Sequence, residues 1–233
     1  MTEWPGTVRW PGSRDELVAV QRELAALRPV AWRPSAGLLA VGGCFVCFPR
    51  HTTGAGGRGD RAWAAAVVMQ RLDVIDRSIV AGTAGAPYEE GLLALREGAL
   101  LEAAVRELVP TPDVLVVNAT GRDHPRRAGL AFHLGAVVGI PTVGVTDRPL
   151  IARGTLPADE LGQASPLRID EDVVANWLRT RSGARPLVVH AGWRVDADTA
   201  VEVVRGCGGA YRTPAPLREA RRISRRARSN FDT

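Results

Sequence analysis

The sequence predicts a single α/β domain, residues 1–233, built on one mixed sheet flanked by helices. Three observations point there. Extended segments at 38–48, 62–72 and 78–82 follow one another through short connections, the pattern of an antiparallel three-strand meander. From residue 89 onward helical and extended segments alternate, which calls for parallel strands joined by crossover helices. No internal repeat and no linker-like stretch divides the chain.

The elements follow in order. Ser13 caps a helix whose apolar positions Leu17, Val18, Val20, Leu24, Ala25 and Leu27 recur at helical spacing until Arg28-Pro29 ends it. The Gly-rich stretch 51–60 joins the first two strands and is expected to be exposed. A helix over 89–108, a strand over 114–117, a helix over 125–138 and a strand over 142–145 supply the alternation. A strand near 173–178, a stronger one over 186–190 and a helix over 197–205 opened by Asp196 follow. In the last segment, about 214–229, Leu217, Ala220, Ile223 and Ala227 are spaced three or four apart. That leaves the arginines on the other face of a peripheral basic helix.

Composition bounds the function. All 30 residues counted as basic are arginine, so no lysine chemistry is available, and the net charge of +5 is compatible with a nucleic-acid partner. A codon bias toward Arg, Ala and Gly is the plainer explanation of the missing lysines. No apolar run approaches the ~18 residues of a membrane span, and the N-terminal stretch lacks the basic flank and apolar run of a secretory signal. The expectation is a cytoplasmic, monomeric protein with three reduced cysteines. Cys44 and Cys47 form a C-x-x-C, but side chains alternate along a strand, so the two point to opposite faces. With no second such pair, a zinc or redox site is not expected and buried thiols are.

Glu97 is the residue that most demands explanation. At 100° per residue it falls within the arc of Leu93, Leu100, Leu101, Ala104 and Leu108, so the carboxylate should point inward. Such a group needs an ion pair, hydrogen bonds or a metal, or else a raised pKa; an arginine or His124 are the expected neutralisers. The strand 114–117 then runs through Asn118 into Gly121, Arg122, Asp123, His124, Pro125, Arg126 and Arg127. This is the carboxyl end of a parallel strand, where α/β sheets place sites, with Pro125 suited to the first turn of the next helix.

Together these blocks resemble the endonuclease V family, metal-dependent nucleases that bind deaminated bases, chiefly hypoxanthine, and cut the strand nearby. The carriers are Pro87-Tyr88, Gly91-Leu92-Leu93 and Arg96-Glu97; Gly121, His124-Pro125-Arg126-Arg127, Gly129, Ala131, His133 and Gly135; Pro141–Val145; and Gly192 with Arg194-Val195 ahead of Asp198. The resemblance implies a ribonuclease-H-like fold and Mg²⁺ or Mn²⁺ held by clustered carboxylates. It also implies a partner strand, DNA or RNA, containing deaminated purines. Tyr88 falls where the family inserts a wedge. Gly91, Leu93, Gly121, Gly129, Gly144 and Leu150 match its flipped-base pocket, and His124, Arg126 and Arg127 belong to the same binding set.

The metal set departs from the family. Phe45 and Asn118 stand where two aspartates are expected, Trp193 where a histidine is, and Asp147 at or beside the place of a lysine; Glu97 alone is kept. Asp123 and Asp147 are candidate substitute ligands, with a helix cap and a turn residue as their plainer roles. Glu89-Glu90 replace an apolar residue and a proline in the wedge loop, and Ala119 replaces a pocket glycine. Three functions are compatible with this pattern: a hypoxanthine-binding relative with weak or lost cleavage, an active nuclease with rearranged ligands, and an interaction module that retains only the fold.

Overall fold

The structure, a computed structural model, describes residues 10–50, 54–208 and 211–230. The expectations for the chain's first nine residues and for 51–53 of the Gly-rich stretch lie outside the described residues. Eight strands form one sheet in the order β3-β2-β1-β4-β5-β8-β7-β6. They are β1 (Ala40–Cys47), β2 (Arg61–Gln70), β3 (Asp73–Thr83), β4 (Val114–Val117), β5 (Thr142–Thr146), β6 (Ala164–Ile169), β7 (Asp172–Leu178) and β8 (Leu187–Ala191). The helices are α1 (Arg14–Ala26), α2 (Leu93–Arg106), α3 (Leu130–Val138), α4 (Ala197–Gly206) and α5 (Ala215–Ser229). None is long and apolar enough to cross a membrane.

The meander is present as β1, β2 and β3, each antiparallel to the next. The alternation that follows yields the parallel pairs β1/β4 and β4/β5. Beyond β5 the sheet turns antiparallel through β8, β7 and β6. The strand β6 had no expectation, because only Leu167 of its six residues is buried and the edge shows little apolar alternation.

Leu17, Leu101, Ala104 and Leu134 of α1, α2 and α3 pack with Cys44, Ala64 and Leu115 on one face of the sheet. On the other face α4 joins Val114, Val116 and Val189, while Ala215, Ala220 and Ile223 of α5 cover Ala65, Val67 and Met69. Burying such a large aliphatic side chain contributes roughly 1.5–3 kcal/mol. Expected to be peripheral, α5 is therefore a layer of the core. Its first turn approaches so closely that a Cβ on Gly43 would collide with the Pro216 backbone. The Ser224 hydroxyl donates to the buried Trp63 carbonyl at 2.7 Å.

Two helices are shorter than the expected 89–108 and 125–138, for backbone reasons. Gly91 adopts φ +78°, so α2 begins at Leu93 rather than at 89. Arg127 adopts φ 55°, which breaks any helical path from Pro125; Pro125 belongs to a turn, and α3 starts at Leu130 after Gly129.

Candidate functional site

The parallel strands β1 and β4 end side by side, and α2 lays Glu97 against their carboxyl ends. Glu97 lines a cavity of about 340 Å³ with Phe45, Phe48, Tyr88, Leu93 and Asn118. Burial pushes its carboxyl up to about 7, with the adjacent Arg96 charge pulling the other way. Glu97 forms no ion pair or hydrogen bond with any described residue. The expected neutralisers are engaged elsewhere. Arg96 is turned inward, pairs with Asp60 at 3.3 Å, donates to the Ala86 carbonyl at 2.7 Å and lies 4.0 Å from the Phe48 ring centre. His124 is not part of this cavity.

The donor set here does not suit a hard cation. Mg²⁺ takes six oxygens in near-octahedral geometry, and the cavity offers one carboxylate and the amide of Asn118. Phe45 packs against the apolar contact between α5 and the sheet, with the Arg221 guanidinium 5.0 Å from its ring centre. No described residues form a cluster of three or more metal-ligating side chains.

A second cavity, about 170 Å³, shares Tyr88, Leu93 and Asn118 with the first and adds Gly91, His124 and Leu150. It is sized for a single nucleobase. Tyr88 is 54% exposed at its mouth, with its backbone N–H fixed to the Ala55 carbonyl at 2.9 Å. Behind Tyr88 one atom of the loop gathers three donors. The Gly91 carbonyl accepts from Arg126 at 2.9 Å, from His124 Nε2 at 3.1 Å and from Gln21 at 3.3 Å. Arg126 N–H donates to His124 Nδ1 at 3.1 Å, so the proton sits on Nε2. Burial holds this imidazole down to about 4, keeping it neutral. Arg126 Nε also grips the Gln21 amide oxygen at 2.6 Å. Of the two acids in the wedge loop, Glu89 is paired with Arg14 at 2.7 Å on the surface.

The structure separates the remaining expectations. Gly121, Gly129 and Gly144 lie beneath the cavity rather than in its wall; a Cβ there would strike the carbonyl oxygens of Ala191, Thr120 and Ala119 respectively. Asp123 is neither a helix cap nor a free ligand. Fully buried, it accepts the N–H groups of Leu150, Ile151 and Ala152 at 2.7, 2.9 and 2.8 Å. Diverting those oxygens to a metal would take the acceptor from all three N–H groups, at about 1–3 kcal/mol for the buried one of Ala152. Asp147 is exposed and paired with Arg212 at 2.6 Å. Trp193 is buried away from both cavities, edge-on to Phe132 at 5.3 Å, and its backbone N–H donates to the Thr142 hydroxyl at 2.9 Å. Arg127 turns from the base cavity toward Asp170 and Asp172, at 3.2 and 3.7 Å.

Sequence reading missed three residues. Gln21 is 1% exposed between Leu17 and Leu24 on the inner arc of α1. A polar residue inside an apolar arc was the signal used for Glu97, and it applied equally here. Thr146 lines the base cavity, and its hydroxyl lies 2.7 Å from His190 Nε2 and donates to the Arg148 carbonyl at 2.7 Å. His190 is fully buried, which lowers its pKa to about 4 despite Asp123. Nothing local marked these last two, since the contact joins β5 to β8.

A mixed sheet carrying a cavity at the carboxyl ends of its central parallel strands has the arrangement of a ribonuclease-H-like protein, and solved structures similar to it have that fold. The sequence profile of the endonuclease V family matches residues 36–222. The endonuclease V of Methanopyrus kandleri is 38% identical over 222 residues, spanning 94% of this chain and 91% of its own. The crystal structure of the Streptomyces avermitilis endonuclease V aligns with TM-score 0.83 at 36% identity, covering 96% of each chain. The fold is shared as well by the Ciona intestinalis endonuclease V in complex with a 24-mer DNA containing an inosine followed by a ribo-adenosine. That alignment has TM-score 0.78 and 22% identity, and covers 93% of this chain and 98% of that one. This chain belongs to the endonuclease V family.

Proposed function

We propose that this protein binds DNA or RNA strands containing a deaminated purine, chiefly hypoxanthine, and that phosphodiester cleavage at the neighbouring Glu97 cavity is weak or lost. The observation that carries this reading is the contrast between two adjoining cavities. One retains the wedge, the anchored loop and a base-sized space; the other has a single carboxylate where a metal set is required.

Binding has a physical route. Extruding a base costs a few kcal/mol. Tyr88, exposed at the mouth, can stack into the vacated position, and the flipped base replaces water against Leu93 and Leu150. Because His124, Arg126 and Gln21 already fix Gly91, little ordering remains to be done on binding. The inosine-containing complex of the Ciona relative supports the ligand class. Cleavage lacks a comparable route. Losing ~4 kcal/mol of transition-state charge stabilisation slows a reaction about a thousandfold, and neither Asp123 nor Asp147 is free to restore the ligands.

The test pairs a gel shift with a cleavage assay on oligonucleotides that differ by one hypoxanthine. The expected result is preferential binding of the hypoxanthine strand, left intact with Mg²⁺ or Mn²⁺. Turnover comparable with that of an ordinary family member would overturn the loss of cleavage. Equal binding of the undamaged strand would overturn lesion recognition and favour an interaction module.

A further inference from the structure

The largest of the cavities described lies outside the base and Glu97 cavities. It measures about 410 Å³ and is lined by Arg28, Arg122, Arg127 and Arg194, with Asp172 and Asp196 the acids among its lining residues. Those acids are partly committed. Asp196 pairs with Arg33 at 2.6 Å and caps α4 through Thr199 N–H at 2.8 Å, while Asp172 stands 3.7 Å from Arg127. The other three arginines form no salt bridge with a described residue, although the Asp172 charge acts on Arg122. Arg28 donates to the Ala25 and Leu27 carbonyls at 2.8 and 3.0 Å. Arg122 donates to the same two at 3.1 and 3.3 Å and stacks 4.1 Å from the Phe132 ring centre. Arg194 Nε donates to the Val30 carbonyl at 3.1 Å.

Capping the end of α1 explains one or two of these contacts, but not the convergence. Carbonyls supply no charge, and each guanidinium has five donors to satisfy. The crowding is measurable in Arg122, whose pKa falls to about 10 through burial and the nearby Arg28 and Arg127 charges. Arg127 and Arg194 also reach the cavity from left-handed backbone, φ 55° and 59°, a conformation that non-glycine residues adopt at a cost and that clusters at ligand sites.

We infer that this arginine cavity is a phosphate-binding site. Several guanidinium forks converging from different elements match a tetrahedral group with several charged oxygens better than a planar carboxylate. The position suggests the source. Gln21 of α1 lines the base cavity and Ala25, one turn or about 6 Å further along the helix, lines this one. The turn 121–129 likewise contributes His124 to the first and Arg122 and Arg127 to the second. Resting on the function proposed above, the phosphate belongs to the backbone of the strand whose base is flipped.

The experiment measures oligonucleotide affinity against salt for the wild type, Arg122→Gln and Arg28→Gln, with calorimetry using inorganic phosphate alongside. Arg28 is exposed and bonds only its own turn, so Arg28→Gln keeps the test valid if Arg122→Gln unfolds. The expected result is a roughly tenfold loss of affinity and a log–log salt slope shallower by about one, with the preference for hypoxanthine over adenine unchanged. Inorganic phosphate binding lost in the variants while strand affinity holds would keep the phosphate site but overturn the strand as its source. No change in either measurement overturns the site. A wild type with no hypoxanthine preference whose salt slope still falls in the variants refutes the proposed function and leaves this site standing.

Discussion

Glu97 shows how one side chain reports the state of its surroundings. Its pKa is raised to about 7 from an ordinary 4.5 because water is largely excluded and no described residue offers it a counter-charge bond. The folded protein therefore holds this proton more tightly than the unfolded chain does. The stability it contributes is fully present below about 4.5 and is lost as pH rises toward about 7. Glu97→Gln should match the wild type near pH 4 and exceed it by about 1–2 kcal/mol at pH 8, discounted from the full shift because the carboxyl faces an open cavity. Urea denaturation at both pH values checks this; a constant difference between them would mean that Glu97 is not the titrating group. Asp123 is also buried, but its two oxygens accept three backbone N–H groups, so it organises the loop at Leu150.

Among the elements, the wedge loop and the turn 121–129 matter most, and they depend on each other. The Gly91 carbonyl gathers donors from α1 and from that turn, over sequence separations of 70, 33 and 35 residues. Arg126→Ala removes one of those donors and the grip on Gln21. The expected outcome is faster amide exchange across 88–91 and a preference for hypoxanthine reduced about tenfold, with overall stability lowered by only about 1 kcal/mol. Exchange mass spectrometry and competition gel shifts read the two effects; an unchanged loop would refute the anchoring role. The same elements show why a helix was expected too early in both places. The expected starts were Glu89 and Pro125, but the left-handed backbone at Gly91 and Arg127 breaks the path. Nothing in the apolar pattern reveals that.

At the scale of the whole molecule, the sheet brings the ends of β1 and β4 together whether or not a metal is to be held there. Phe45→Asp combined with Asn118→Asp would set three carboxylates around one cavity. The expected outcome is a Tm that rises with Mg²⁺ in the double variant and not in the wild type, read by scanning calorimetry. No Mg²⁺ response in the variant would show that two added carboxylates do not complete a metal site here. Much of this was legible beforehand from period and order. The meander, the β/α alternation, the inward side of Glu97, the opposed faces of Cys44 and Cys47 and the capping by Asp196 all follow from local spacing. Which charges found partners did not. Asp123, Asp147, His124 and Arg127 lie within 25 residues of one another, yet a loop, an arginine of the 211–213 turn, the wedge and the edge strands claim them separately. By itself the sequence determined most of the elements and the family, because backbone periodicity and residue type are local properties. Only the tertiary structure decided which polar groups remained free to meet a ligand, because burial and hydrogen bonding are settled by neighbours that are distant in the chain.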